Sequence, residues 1–344
     1  MPPPSRPRTP RTPRTPPPPI TAPATHPGPG RAPSRGGLGR PWKGTTVSVP
    51  EGTIPYRQAR AAQPAALERV ARRLAAQLGT PGAFPAAVRP VFAGIGASHA
   101  ALALPVALLG EAGFAARRVL AGDLPPGPVF DSADLVLGVS QSGRSPETLA
   151  ALALAGPERA GALVNAVPSP LAAAARWSVD LGDEPDSYAS TVGYTGTLVG
   201  LTMLARHLEG WDSARALAEW AGTAELLEEF EEVLAPVVAE VTAHGAHVVA
   251  ADFVGSGASL GTAEAGALLL REVARVPATA LATRTYLHGA MESAGRTLHV
   301  VLGDGREGEL ARSLARAGHL TLAVTAAPLA AEGTLHVVRL PGLA

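Results

Sequence analysis

The feature that most constrains this sequence is a strand-to-helix turn that occurs twice. The apolar run Val91-Phe92-Ala93 leads into Gly94-Ile95-Gly96-Ala97-Ser98, and the run from His247 to Val254 leads into Gly255-Ser256-Gly257-Ala258-Ser259. A short apolar run closed by small residues and followed by helical periodicity is the pattern of a parallel strand feeding a crossover helix. Alternating units surround the first turn: a helix from Ser98 to Leu109, a short run Arg118-Val119-Leu120, a strand from Leu135 to Val139, a helix from Pro146, a strand Ala162-Leu163-Val164-Asn165 and a helix from Pro170. A leading helix is predicted from Pro64 to Leu78, where Leu67, Val70, Leu74, Ala75 and Leu78 recur at helical spacing. After an amphipathic connector from Ser213 to Val241 the pattern restarts, with a helix from Thr262 to Val273 and strands at Leu298–Leu302, Leu320–Val324 and Leu335–Leu340. The recurrence predicts one α/β fold duplicated in tandem: a first domain over 51–212 and a second, with its connector, over 213–344.

Composition narrows the chemistry. The chain has no cysteine, which excludes disulfides, iron–sulfur clusters and thiol nucleophiles. Lys43 is the sole lysine and lies before the folded region, so Schiff-base and P-loop chemistry are excluded there. Residues 1–50 are rich in Pro and Arg and carry no acidic residue, and they are expected to be disordered. No aromatic residue interleaves their arginines, so no nucleic-acid partner is expected. Their prolines forbid the amphipathic helix of a transit peptide. No run of about 18 apolar residues is present. The expectation is a cytoplasmic protein with no membrane partner.

Both Gly-x-Gly turns invite a dinucleotide-binding reading, but the position that should be Gly or Ala for close helix packing is His99 in one turn and Leu260 in the other. A nucleotide-dependent oxidoreductase is therefore disfavoured. The loop Ser140-Gln141-Ser142-Gly143-Arg144-Ser145 is more informative, because it sets small donors around a tight turn just before a helix opened by Ser145-Pro146-Glu147-Thr148. Such a turn presents hydroxyls and amides at the positive end of a helix dipole and suits a phosphate monoester. It equally suits an ordinary helix cap, and on residue types alone both readings stand.

Val139-Ser140-Gln141-Ser142-Gly143-Arg144-Ser145-Pro146-Glu147-Thr148 resembles the phosphate-binding signature of sugar isomerase (SIS) domains, and Gly94-Ile95-Gly96-Ala97-Ser98 resembles their first strand turn. The layout over about residues 57–340 is similar to the isomerase part of glucosamine-6-phosphate synthase and to related isomerases, deaminases and deglycases. The resemblance implies two flavodoxin-like three-layer αβα domains, a phosphorylated sugar as ligand, no cofactor, no metal and a homodimer. It implies that Ser98, Ser140, Gln141, Ser142 and Ser145 hold the phosphate and a neighbouring hydroxyl. Gly182-Asp183-Glu184 with Ala189-Ser190-Thr191 resembles the stretch lining the sugar, which places Glu184 and Ser190 there, with one extra residue and with Val192 in place of a lysine.

In the second half, Gly266 to Glu272 resembles the helix that carries the catalytic glutamate, and His288-Gly289 the pair whose imidazole assists ring opening. The resemblance thus implies that Glu272 moves a proton between adjacent sugar carbons through an enediol or enolamine and that His288 acts on the hemiacetal. One tunable carboxylate and one group titrating near neutrality suit those two steps. Leu269 replaces a lysine of that helix and Ala265 an acid. Gly303-Asp304-Gly305-Arg306-Glu307 stands where the first half has its serine-rich loop, so the second half is expected not to bind phosphate. The sequence stops at Ala344 without the lysine-bearing tail of the synthase relatives. Ring opening is then expected to rely on His288 alone, or the reaction to be deamination or deglycation. The second expectation is a non-catalytic regulator that binds the same ligand on the same fold.

Overall fold

The computed structural model describes residues 53–123 and 128–340; the expectations for residues 1–50, Lys43 included, lie outside these. After α1 (Tyr56–Leu78) come β1 (Pro90–Gly94), α2 (Ala97–Ala101), α3 (Ala103–Glu111), β2 (Arg117–Leu120), α4 (Pro128–Asp131), β3 (Leu135–Ser140), α5 (Pro146–Ala155), β4 (Ala160–Val164), α6 (Pro170–Ala174), β5 (Trp177–Asp180) and α7 (Val192–Leu208). Helices α8 (Ser213–Ala218) and α9 (Thr223–His244) lead to β6 (Ala250–Gly255), α10 (Ala258–Leu269), β7 (Ala278–Ala282), α11 (Thr283–Leu287), β8 (Thr297–Leu302), α12 (Arg306–Arg316), β9 (Thr321–Thr325) and β10 (Leu335–Arg339). All strand pairs within both sheets are parallel, in the orders β2-β1-β3-β4-β5 and β10-β9-β8-β6-β7. Read in chain order, both sheets follow the same doubly wound sequence, with a switch point beside the first strand of each.

The alternation of side chains explains why the strand sequences are almost continuously apolar. Phe92, Leu135, Leu137, Val139 and Leu163 enter one core with Leu67, Val70 and Leu74 of α1 and Val199 and Leu204 of α7. Val91, Ala93, Val136, Ala162 and Val164 enter the opposite core with Leu152 of α5 and Leu171 of α6. A sheet covered on both faces cannot show a polar side, so periodicity of two is erased. In the second sheet Val301 and Ala323 pack on Leu310 and Leu314 of α12, while Val300 and Leu302 face the other way with Ala263 of α10.

The structure shifts several predicted boundaries. Helix α1 starts at Tyr56 and continues through Pro64, where the start was expected. Its added turns are fastened by buried Ala59, by Arg60 Nε donating to Glu231 Oε1 at 2.7 Å, and by Gln63 Nε2 donating to Thr195 Oγ1 at 2.8 Å. The helix expected from Ser98 to Leu109 is divided at Leu102, between α2 and α3. Pro105 has no N–H to give to the Ala101 carbonyl four residues back, so the break falls there. The connector is also two helices, divided by Gly222 in the left-handed region.

The seam between the halves is tight. Helix α10 crosses α2 and α3 so closely that a Cβ on Gly261 would lie 2.4 Å from the Ala100 carbonyl oxygen and 2.9 Å from Ala103 Cβ. Beside this crossing, Arg118 of β2 donates to Glu264 of α10 through both terminal nitrogens, at 2.5 and 2.8 Å. Among the described residues no helix is long and apolar enough to cross a membrane.

Candidate functional site

In a doubly wound sheet the crevice lies outside the carboxyl ends of the strands at the switch point, which here means the loops after β1 and β3. The loop after β3 turns at Gly143, whose φ is +62°. A Cβ there would meet Ser169 Oγ at 2.3 Å, so only glycine fits the turn that presses this loop onto the start of α6. The loop is stitched to its neighbours by Asn165 N–H donating to the Gln141 carbonyl at 2.9 Å and Leu171 N–H donating to the Gly143 carbonyl at 2.9 Å.

Ser140 ends β3 and is buried, while Ser142 is exposed, its Oγ accepting from Arg144 N–H at 3.3 Å. Ser145 caps α5: its Oγ accepts from Thr148 N–H at 3.3 Å and donates to Glu147 Oε2 at 3.0 Å. The capping reading of Ser145 is therefore realised, and its hydroxyl is already engaged. Ser98, in the first turn of α2, lines a 120 Å³ cavity together with Ile95, Ala97, Gln141, Ser190, Gly193, Tyr194 and Thr197. A second cavity of 270 Å³ shares Ala97, Ser190 and Tyr194 with the first and adds Gly96, Tyr188, Ala265, Leu268, Leu269 and Glu272. Glu272 reaches it because α10 ends in a π-helical turn, Leu270–Ala274, closed by Arg275 at a φ of +57°.

The structure thus brings Ser98, Gln141, Ser190 and Glu272 around two adjoining cavities. Glu184 stands apart from these two. It lines a third cavity, of 640 Å³, with Gln141, Ser142 and Asn165, and its carboxylate is held bidentately by Arg69 of α1 at 2.9 and 2.7 Å. His288 is exposed at the end of α11 and lines none of these cavities. Among the described residues no group of three or more His, Asp or Glu side chains is gathered as metal ligands would be.

Sequence reasoning missed the residue that organises the crevice. Asp186, 7% exposed, accepts from Ser187, Thr191 and Gly193 N–H at 2.8, 2.9 and 2.8 Å. It also accepts from Ser190 Oγ at 2.7 Å, from Thr191 Oγ1 at 2.8 Å and from Gln141 Nε2 at 3.5 Å. It closes the loop before α7, serves the orphan N–H groups of that helix and holds two cavity-lining side chains. The only sequence signal was its place in the turn-forming run Glu184-Pro185-Asp186-Ser187. Tyr194 was missed as well; burial, helped by the nearby Glu264 carboxylate, pushes its phenol up to about 12.

No family model matches the sequence, and no curated protein is similar to it in sequence. Solved structures are similar in shape. A protein assigned as a phosphosugar isomerase from Clostridium difficile 630 superposes with a TM-score of 0.71 at 17% identity, covering 83% of this chain and 86% of that one. The fold is the tandem sugar-isomerase fold. A tagatose-6-phosphate ketose/aldose isomerase from Escherichia coli shares this fold at TM-score 0.66 and 19% identity, covering 83% and 85% of the two chains. A glucosamine-6-phosphate deaminase from Thermotoga maritima shares it at 0.65 and 18%, covering 78% and 84%.

The second switch point of the tandem sugar-isomerase fold is built differently here. In place of a serine-rich loop, buried Glu307 of α12 reaches across it, its Oε1 accepting from Ser256 Oγ at 2.9 Å and from Thr283 Oγ1 at 2.6 Å. The chain's own carboxylate occupies the hydroxyls that an anion would need.

Proposed function

We propose that this protein binds a phosphorylated, amino-type sugar in the crevice of the first sheet and moves a proton between adjacent carbons of it, in isomerisation, deamination or deglycation. The observation that carries this reading is the convergence of Ser98, Gln141 and Ser190 from the first half with Glu272 from the second on two cavities that share a wall. The serine-rich loop and the N-terminus of α5 supply hydroxyls and amides for the phosphate. Glu272 takes the proton from the carbon beside the carbonyl or imine and returns it to its neighbour. Structural neighbours named for phosphosugar isomerisation and glucosamine-6-phosphate deamination support this substrate class. By the same resemblance the protein is cytoplasmic and works as a homodimer, with His288 of one copy serving the crevice of the other.

Incubation with glucosamine 6-phosphate, galactosamine 6-phosphate and fructosamine 6-phosphate, followed by NMR for ketose product and by ammonia detection, tests it. Turnover of one of them, lost in Glu272→Gln while the ligand still binds, is the expected result; turnover unchanged by that substitution overturns the role of Glu272. A non-catalytic sugar-phosphate regulator is favoured by one observation, that the cavity wall beside Glu272 carries Leu269 where the resembling helix motif has a lysine. Binding without product from any of the three sugars would establish it.

A further inference from the structure

We propose that the 270 Å³ cavity beside Ser190 receives an apolar substituent carried on the amino group of the bound sugar phosphate, so that the ligand class is an N-alkyl or N-aryl amino sugar phosphate. The inference rests on the sugar-phosphate reading above and adds the part of the ligand that reading leaves open. The cavity adjoins the 120 Å³ space lined by Ser98 and Gln141, and the two share Ala97, Ser190 and Tyr194. Beyond that shared wall it is lined by Gly96, Tyr188, Ala265, Leu268 and Leu269, with Glu272 as the one charged side chain among the described residues.

Two cations on the elements around the cavity are engaged elsewhere. Arg118 is paired with Glu264, and Arg271, next to Glu272 in the chain, donates from Nε to the Ala278 carbonyl on β7. Among the described residues no guanidinium lines the cavity, and a carboxylate-bearing substituent would lose its hydration there and meet Glu272. An amine nitrogen set toward Glu272, with its carbon chain against Leu268 and Leu269, satisfies both kinds of wall. Leu269, the departure from the lysine-bearing helix motif, is what turns this wall apolar.

Calorimetric titration of the full chain with fructosamine 6-phosphate and with its N-butyl, N-benzyl and N-carboxymethyl derivatives tests the proposal. Partial burial of three methylenes and a methyl predicts that the N-butyl compound binds about tenfold or more tighter than the parent. The N-carboxymethyl compound is expected to bind no tighter than the parent. Leu269→Lys should remove the N-butyl advantage and improve N-carboxymethyl binding, and Leu268→Ser should remove the N-butyl advantage alone. Equal or weaker binding of both apolar derivatives overturns this inference and leaves the sugar-phosphate site intact; failure of every compound, the parent included, overturns both.

Discussion

Replacing Asp186 tests whether the crevice is held by one buried carboxylate. Asp186→Ala strands three backbone N–H groups, those of Ser187, Thr191 and Gly193, and releases the hydroxyls of Ser190 and Thr191. The hydroxyls can turn to other acceptors, whereas the amides are fixed by the backbone. At about 1–3 kcal/mol for each stranded donor, and with water entering the vacated volume to serve one of them, the loss is about 3–5 kcal/mol. For a chain of this size that lowers the melting temperature by about 10 °C, measured by circular dichroism at pH 7. Binding suffers by a separate route, because Ser190 and Gln141 lose the group that holds them in the cavity wall. Affinity for a sugar phosphate is expected to fall by at least about tenfold, the equivalent of one charge-assisted hydrogen bond. Asp186→Asn keeps the volume and one acceptor oxygen but turns two donors toward Ser190 and Gly193, and should fall between the wild type and the alanine variant. A melting temperature for Asp186→Ala within about 2 °C of the wild type would refute the reasoning, since it would mean that the stranded amides cost almost nothing.

The seam and the second sheet supply three further predictions. Gly261→Val should destabilise by at least about 2 kcal/mol in urea unfolding, because its Cβ would stand 2.4 Å from the Ala100 carbonyl and overpack the crossing of α10 with α2. A double-mutant cycle on Arg118→Ala and Glu264→Ala should give a coupling of about 1 kcal/mol, falling with added salt, since the paired side chains are 20% and 26% exposed; a coupling of zero would mark the pair as ornamental. Burial, with His319 adding repulsion, pushes the His299 imidazole from 6.5 down to about 4. The unfolded chain then binds the proton that the native chain refuses, so stability is retained above about pH 6.5 and falls by roughly 2–3 kcal/mol as pH drops toward 4. His299→Gln should flatten that part of the pH–stability curve, and an unaltered slope would exclude His299 as its source.

Parts of this fold were legible in the sequence because the residues that build them also pattern them. The runs ending in Gly94, Val139 and Val254 mark β1, β3 and β6, and the small residues after them mark the turns. The hidden parts have physical reasons. Helix α7 carries Gly193, Gly196, Gly200 and three threonines, which blur helical periodicity and lower propensity. The packing needs those small residues: a Cβ on Gly200 would meet Leu163 Cδ1 at 2.7 Å, so a better helix former there would push α7 off β4. Strand β5, Trp177–Asp180, was not read: it is four residues long, lies at a sheet edge and has only Val179 and Asp180 buried. Of the candidate site, residues on the strand-to-helix turns were readable because a phosphate loop and a helix cap share their chemistry. Asp186 was not readable, because a carboxylate that gathers N–H groups from residues 187 to 193 has no pattern until the loop is folded.

The two switch points show how one geometry is kept for two purposes. Both join the loop after a first strand to the loop after a third, and both open toward the N-terminus of a helix. In the first half the helix cap is Ser145, a neutral hydroxyl, and the crevice beside it continues into cavities lined by Ser98, Gln141 and Ser190. In the second half Glu307 sits in the first turn of α12 and draws Ser256 and Thr283 onto one oxygen, tying the ends of β6 and β7 to α12. A carboxylate at that place satisfies the helix dipole and the hydroxyls together, which is the work an incoming anion does in an open site. The second switch point is thereby filled by the chain's own side chains. Helix α10, held by its close crossing at Gly261 and by the Arg118–Glu264 pair, carries Glu272 in the turn after it to the wall of a cavity shared with the first half.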